Sequence, residues 1–151
     1  MTTTTDTVTR AVEVRVPVDV AWRVFTEEMH RWWPLATHSI SKERGETPDG
    51  VVVEGHLGGA IYETVGADRR AWGTVVSWEP PTRLSVEWTV SPGVVTRWTA
   101  TFSPIEGGTR LELVHSGFEA HGALAQEIRD SYGSEDGWTY VLGRFVEATS
   151  G

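Results

Sequence analysis

The sequence predicts an α+β fold: a curved antiparallel sheet of about seven strands wrapped around a long C-terminal helix, with a helical segment between strands one and two. Three observations carry this. Between residues 51 and 118, short runs alternate apolar with polar residues and are separated by turns rich in Gly and Pro. Trp138, Val141, Leu142, Phe145 and Ala148 then follow at i, i+3, i+4, i+7 and i+10, an apolar helical stripe. Finally, eight tryptophans in 151 residues are spread over both patterns. Trp22, Trp32 and Trp33 fall on an N-terminal helical stretch, Trp72, Trp78, Trp88 and Trp98 on consecutive strands, and Trp138 opens the last helix. Large aromatics from both layers are what a roomy, aromatic-lined interior requires, although core filling is the commoner task of a buried aromatic.

In chain order, Val8, Val12, Val14 and Val16 mark a half-buried first strand, stopped by Pro17. Val18, Trp22, Phe25, Met29 and Trp32–Trp33 recur at helical spacing, so residues 18–33 read as one helix or a bent one, ended by Pro34. Residues 35–50 are polar and turn-rich and read as a long mobile loop. Strands follow at 51–56, 60–65 and 70–78, with a tight turn at Leu57-Gly58-Gly59 and a loop at Ala67-Asp68-Arg69. Leu84, Val86 and Trp88, then Trp98, Ala100 and Phe102, then Leu111, Leu113 and His115 mark three more one-sided strands. Residues 119–132 place Leu124, Ile128 and Tyr132 four apart, a helical spacing, and Ser134 reads as the N-cap of the last helix. A single domain is expected over residues 8–149, with a disordered tail at 1–7.

Composition excludes several classes. The formal net charge is −8 and the pI about 5.1, which disfavours nucleic acid and a basic membrane-surface helix. There is no cysteine, so thiolate chemistry and disulfides are absent. The Thr-rich N-terminus lacks a secretory apolar region, and no run reaches the ~18 apolar residues of a membrane span, so a cytoplasmic protein without membrane insertion is expected.

Four segments carry a family resemblance. They are Arg31-Trp32-Trp33-Pro34; Gly58-Gly59-Ala60-Ile61-Tyr62-Glu63; Trp72-Gly73-Thr74-Val75 running on to Trp78-Glu79-Pro80-Pro81-Thr82-Arg83-Leu84; and Gly107-Gly108-Thr109-Arg110-Leu111 through His115-Ser116-Gly117-Phe118. Gly137-Trp138 before the last helix matches too. Over residues 8–149 the chain resembles the START-like (SRPBCC) helix-grip superfamily and, within it, homologues of the activator of the heat-shock protein 90 ATPase. The resemblance implies a cavity between sheet and helix. It does not imply one activity, since relatives include lipid carriers, hormone receptors, aromatase/cyclases and co-chaperones. Relatives often carry an arginine where this chain has Ala60, so no anion-binding role carries over there.

Trp32, Trp33, Tyr62, Trp72, Trp88, Trp98, His115 and Trp138 are the candidate ligand-binding residues. His115, in phase with Leu111 and Leu113, reads either as a satisfied core histidine or as a polar anchor or acid/base group on the cavity wall. Glu54, His56, Tyr62 and Glu63 cluster on one hairpin, and the face that Glu54 and His56 share can be solvent or cavity. The five histidines show no metal-ligand spacing, and neither Gly-Gly pair precedes a helix, so no metal and no cofactor are expected. Three functions compete. The first is a binding protein for a small apolar or aromatic molecule. The second is a cyclase, dehydratase or hydrolase using His115 with Glu54 or Glu63. The third is a chaperone-regulating partner, ranked last because full activators carry a further domain for which 151 residues leave no room. A homodimer is carried as an additional candidate assembly.

Overall fold

Seven strands form one antiparallel sheet in the order β1-β7-β6-β5-β4-β3-β2. The computed structural model describes residues 7–150. The strands are β1 (Thr7–Val14), β2 (Gly50–Val53), β3 (Ala60–Val65), β4 (Asp68–Glu79), β5 (Arg83–Trp88), β6 (Thr96–Ile105) and β7 (Gly108–Ser116). The tail anticipated at 1–7 lies outside the described residues up to position 6, and Thr7 already pairs with Ser116.

Because β1 and β2 occupy opposite edges, the chain must cross the whole sheet between them. Helices α1 (Val18–Glu27) and α2 (Met29–Trp32) make that crossing. The α1 face carrying Ala21, Trp22, Val24 and Phe25 is buried, as its apolar spacing requires. The helix breaks at Glu28 and resumes for one turn, so the bent alternative is the one realised. Consecutive residues of one helix point in different directions, yet Trp32 and Trp33 are both buried. Trp33 lies beyond the end of α2 with extended backbone, which frees its indole to turn inward beside Trp32.

The C-terminal helix α4 (Trp138–Thr149) buries Trp138, Val141, Leu142 and Phe145. Phe145 meets Phe25 and Trp32 at ring separations of 5.5 and 5.3 Å, and Trp138 meets Trp98 of the sheet at 5.7 Å. This is the helix-grip arrangement: one sheet face covered by α4, one end closed by α1 and α2.

Several boundaries differ from the sequence reading. β2 ends at Val53 rather than 56, because Glu54 and His56 fold into the turn: the Glu54 carboxylate accepts the Ala60 amide at 2.9 Å, and the His56 amide donates to the Glu54 carbonyl at 2.9 Å. Asp68 and Arg69 belong to β4, leaving a turn in which Gly66 takes φ 59°. Residues 118–132 form a 3₁₀ stretch (Phe118–Leu124), itself broken at Gly122, which takes φ 62°, and then α3 (Ala125–Tyr132). Leu124 is therefore exposed. Ser134 does not cap α4; its hydroxyl donates to the Ser131 carbonyl and accepts the Asp136 amide, within the turn before the helix. The cap is Gly137, where an added Cβ would stand 2.2 Å from the Tyr132 carbonyl oxygen. Only glycine fits that approach.

Candidate ligand site

A cavity of about 900 Å³ opens between the loop after α2, the ends of β4 and β5, α3 and the start of α4. Its aromatic wall is Trp33, Trp72, Trp88, Tyr132 and Tyr140, with Ile40, Val90 and Ile128 filling in. His38, Lys42, Glu43 and Asp136 supply polar and charged groups to the same lining.

Each wall element has a local cause. Trp72 and Trp88 are neighbours across β4 and β5, the register setting Gly73 opposite Trp88, and their rings lie 5.8 Å apart at 70°. Trp33 leans on both at 5.0 and 6.2 Å. All three indole N–H groups are engaged within the protein. Trp33 donates to the His38 carbonyl at 2.7 Å, Trp72 to Glu63 Oε1 at 2.5 Å, and Trp88 to the Tyr132 hydroxyl oxygen at 3.0 Å. What these tryptophans offer an occupant is ring surface.

The loop at 35–50, read as mobile, is anchored by a buried carboxylate. Glu63 accepts the Ile40 and Ser41 amides at 2.7 and 2.8 Å, together with the Trp72 indole and the Ser41 hydroxyl. Burial alone would raise the Glu63 carboxyl. The hydrogen bonds from the Ser41 and Trp72 side chains and from the Ile40 and Ser41 amides outweigh it and hold the group below the usual glutamate value. Arg70 Nη1 donates to Ser41 Oγ at 2.6 Å and to Glu46 at 2.8 Å, continuing the chain outward. At the far side, His38 Nε2 donates to the Asp136 carbonyl at 2.6 Å and its ring lies 5.4 Å from Tyr140, so the loop also reaches the turn before α4.

His115 lies elsewhere. It is fully buried, and both ring nitrogens are occupied. Trp138 Nε1 can only donate, so His115 Nδ1 accepts it, at 3.0 Å. The proton therefore resides on Nε2, which donates to Thr96 Oγ1 at 2.8 Å. Burial, with a smaller contribution from His121, pushes the imidazole down to about 3, so it is neutral at pH 7. Of the two readings of His115, the geometry is that of the satisfied core histidine. The acid/base pairing of His115 with Glu54 or Glu63 finds no geometric support, since Glu63 is buried with its oxygens taken and Glu54 closes its own turn.

Of the eight candidates, Trp33, Trp72 and Trp88 line the cavity. Trp32, Trp98 and Trp138 stand behind it in a continuous aromatic cluster, Trp33–Trp138 at 5.9 Å and Trp88–Trp98 at 5.8 Å. Tyr62 sits between inward-facing Ile61 and Glu63, which turns it to the opposite sheet face, where the Arg69 guanidinium covers its ring at 4.9 Å. His56 is exposed and, among the described residues, its ring bonds within its own turn, to the Leu57 carbonyl. The sequence reading passed over His38, Tyr132 and Tyr140. A signal existed for Tyr132, since it and Ile128 share the four-residue spacing and both reach the cavity. For His38 there was none, because loop residues carry no periodicity.

Among the described residues no cluster of His, Asp or Glu is arranged to hold a metal, and no helix is long and apolar enough to cross a membrane.

Solved structures share this architecture. Protein NE0264 from Nitrosomonas europaea is 16% identical with a TM-score of 0.71, over 97% of this chain and 96% of that one. Txn09, an anthrahydroquino-γ-pyrone synthase, is 27% identical with a TM-score of 0.64, over 94% and 96%. The Aha1 dimer from Colwellia psychrerythraea is 10% identical with a TM-score of 0.66, over 95% and 96%. No curated protein matches in sequence. The family described as activator of Hsp90 ATPase homolog 1-like protein matches residues 15–150, nearly the whole grip of sheet and helices, and the chain belongs to that family.

Proposed function

We propose that this protein is a cytoplasmic ligand-binding protein whose single domain holds a small apolar or aromatic molecule in the Trp33–Trp72–Trp88 cavity. One observation carries the reading: a cavity of about 900 Å³, the size of a small-molecule site, is walled by aromatic rings whose N–H groups are already bonded. Such a wall favours flat apolar surface over a strongly hydrated solute. Trp32, Trp98 and Trp138 support the wall from behind. Screening aromatic and lipid-like compounds by tryptophan fluorescence and thermal shift tests it. Binders should alter the emission and raise the melting temperature by linkage. A library in which nothing moves either signal up to ~100 μM would remove the reading.

The 27% identity to Txn09 over nearly the full length favours a second reading, a ring-closing enzyme acting on a fused aromatic substrate in the same cavity. His115 and Glu63 are unavailable for it, so His38, Lys42, Glu43 and Asp136 are the lining groups left to move protons. Turnover of a bound compound, followed by mass spectrometry, separates this enzyme from the binding protein. A chaperone-regulating role rests on family membership, and a homodimer on likeness to the Aha1 dimer. Light scattering and a pull-down with the purified chaperone test these two.

A further inference from the structure

We propose that Tyr132 is the hydrogen-bond donor that selects the ligand, and that the cavity takes a planar aromatic molecule with a carbonyl oxygen at its edge seated on the Tyr132 hydroxyl. This rests on the cavity being the ligand site.

The inference follows from counting donors. A phenol has one proton to give and two lone pairs. The Tyr132 oxygen accepts the Trp88 indole at 3.0 Å, and no acceptor among the described residues takes its proton. The three tryptophan N–H groups of the wall are all engaged by protein acceptors, which leaves the two tyrosine hydroxyls. Tyr140 is 43% exposed and met by water, so the Tyr132 hydroxyl, fixed by the Trp88 bond, is the donor that the inner wall offers. Accepting from Trp88 also polarises the hydroxyl and strengthens it as a donor.

The group is held in place. The Tyr132 ring stands edge-on to His115 at 4.7 Å, with Phe118 at 5.5 Å and Trp138 at 6.4 Å. Burial raises the phenol above its usual value despite the opposing Trp88 bond, so it stays protonated through neutral pH. A fixed, protonated hydroxyl beside aromatic faces suits a flat ketone. It gives a hydrocarbon of the same shape nothing to bond, and such a hydrocarbon would leave the donor dry and unpaired.

The probes are 9-fluorenone and fluorene, flat molecules of nearly the same shape that differ by the carbonyl. Affinities are read by calorimetry or tryptophan quenching on the full chain. Wild type should bind fluorenone about five- to tenfold more tightly than fluorene, the equivalent of one hydrogen bond. Tyr132→Phe should narrow that preference, the donor left in its place being the Trp88 indole N–H that the change unpairs. In wild type the infrared carbonyl stretch of bound fluorenone should move to lower wavenumber, as for a hydrogen-bonded ketone, and Tyr132→Phe should reduce the shift. The wild-type spectrum needs no variant to fold, and an unshifted stretch overturns the proposal by itself. If wild type binds both probes equally, and Tyr132→Phe changes neither affinity, the hydroxyl is not the selector and the cavity reading stands. If wild type binds neither, the cavity reading fails and the Tyr132 proposal with it.

Discussion

The interior has two halves built from the same residue types. Behind the wall, Trp98, Trp138, His115 and Phe118 are each 2% exposed or less. There Trp138, His115 and Thr96 form one closed sequence of hydrogen bonds. On the cavity side, Trp33, Trp72 and Trp88 are also buried, yet their rings border open volume, and Tyr132 keeps a proton without an acceptor among the described residues. The comparison teaches that aromatic content alone does not mark a site. Donor matching does not separate the halves either, since the buried Trp98 indole N–H behind the wall has no acceptor among the described residues. What distinguishes them is whether both sheet and helix reach across. Where both layers meet the result is core, and where α4 stops at Trp138, behind the glycine cap, the layers part.

The largest effect should come from breaking the closed half. Trp138→Ala removes a ring that touches Trp33, Trp88, Trp98 and His115, and strips His115 Nδ1 of its donor. A loss of about 3–5 kcal/mol is expected, a fall in melting temperature of roughly 10 °C or more. A near-native melting curve would show α4 to be peripheral.

His115 should give the closed half an acid limb. The unfolded chain binds its proton below about pH 6.5 and the folded chain only near 3. Stability therefore falls as pH drops through that window, by on the order of 4 kcal/mol at its foot. His115→Phe should flatten the slope between pH 6.5 and 4.5 in denaturant titrations. It should also cost about 1–3 kcal/mol at pH 7, because the Trp138 indole is left unpaired. If the slope persists in the variant, His115 is not the buried neutral group described.

On the cavity side the corresponding group is Glu63, held in its charged form where His115 is held neutral, with a different window. Its folded value is depressed, so its contribution is present above the usual glutamate value of 4.5 and fades as pH falls below that. Glu63→Gln places an amide N–H₂ against donors from Ser41 and should cost about 2 kcal/mol at pH 7. Hydrogen exchange should show the Ile40 and Ser41 amides losing protection first, since the loop rests on this carboxylate. Uniform loss across the sheet would mean Glu63 stabilises the core and not the loop.

The smallest effect is at the cavity lining. His38→Ala deletes the bond to the Asp136 carbonyl and should lower stability by about 1 kcal/mol or less, leaving the acid limb of His115 unchanged. A larger drop would join the loop to the core and weaken the contrast between the halves.

Much of this was legible in the sequence because alternation and helical spacing report which face of an element turns inward. β3 over 60–65, the one-sided strands ending at Trp88 and His115, and the Trp138–Phe145 stripe follow from that alone. Period has no term for what lies opposite. It could not say that His115 would meet Trp138, 23 residues on, or that Glu63 would hold a loop 22 residues away. Nor could it divide eight tryptophans into those that fill and those that border space, because that depends on sheet curvature and on where α4 begins. The sequence by itself determined the elements, their inward faces and the family. Tertiary structure decided which inward faces meet a partner and which meet a cavity, because contact across layers is set by distances that a local repeat does not encode.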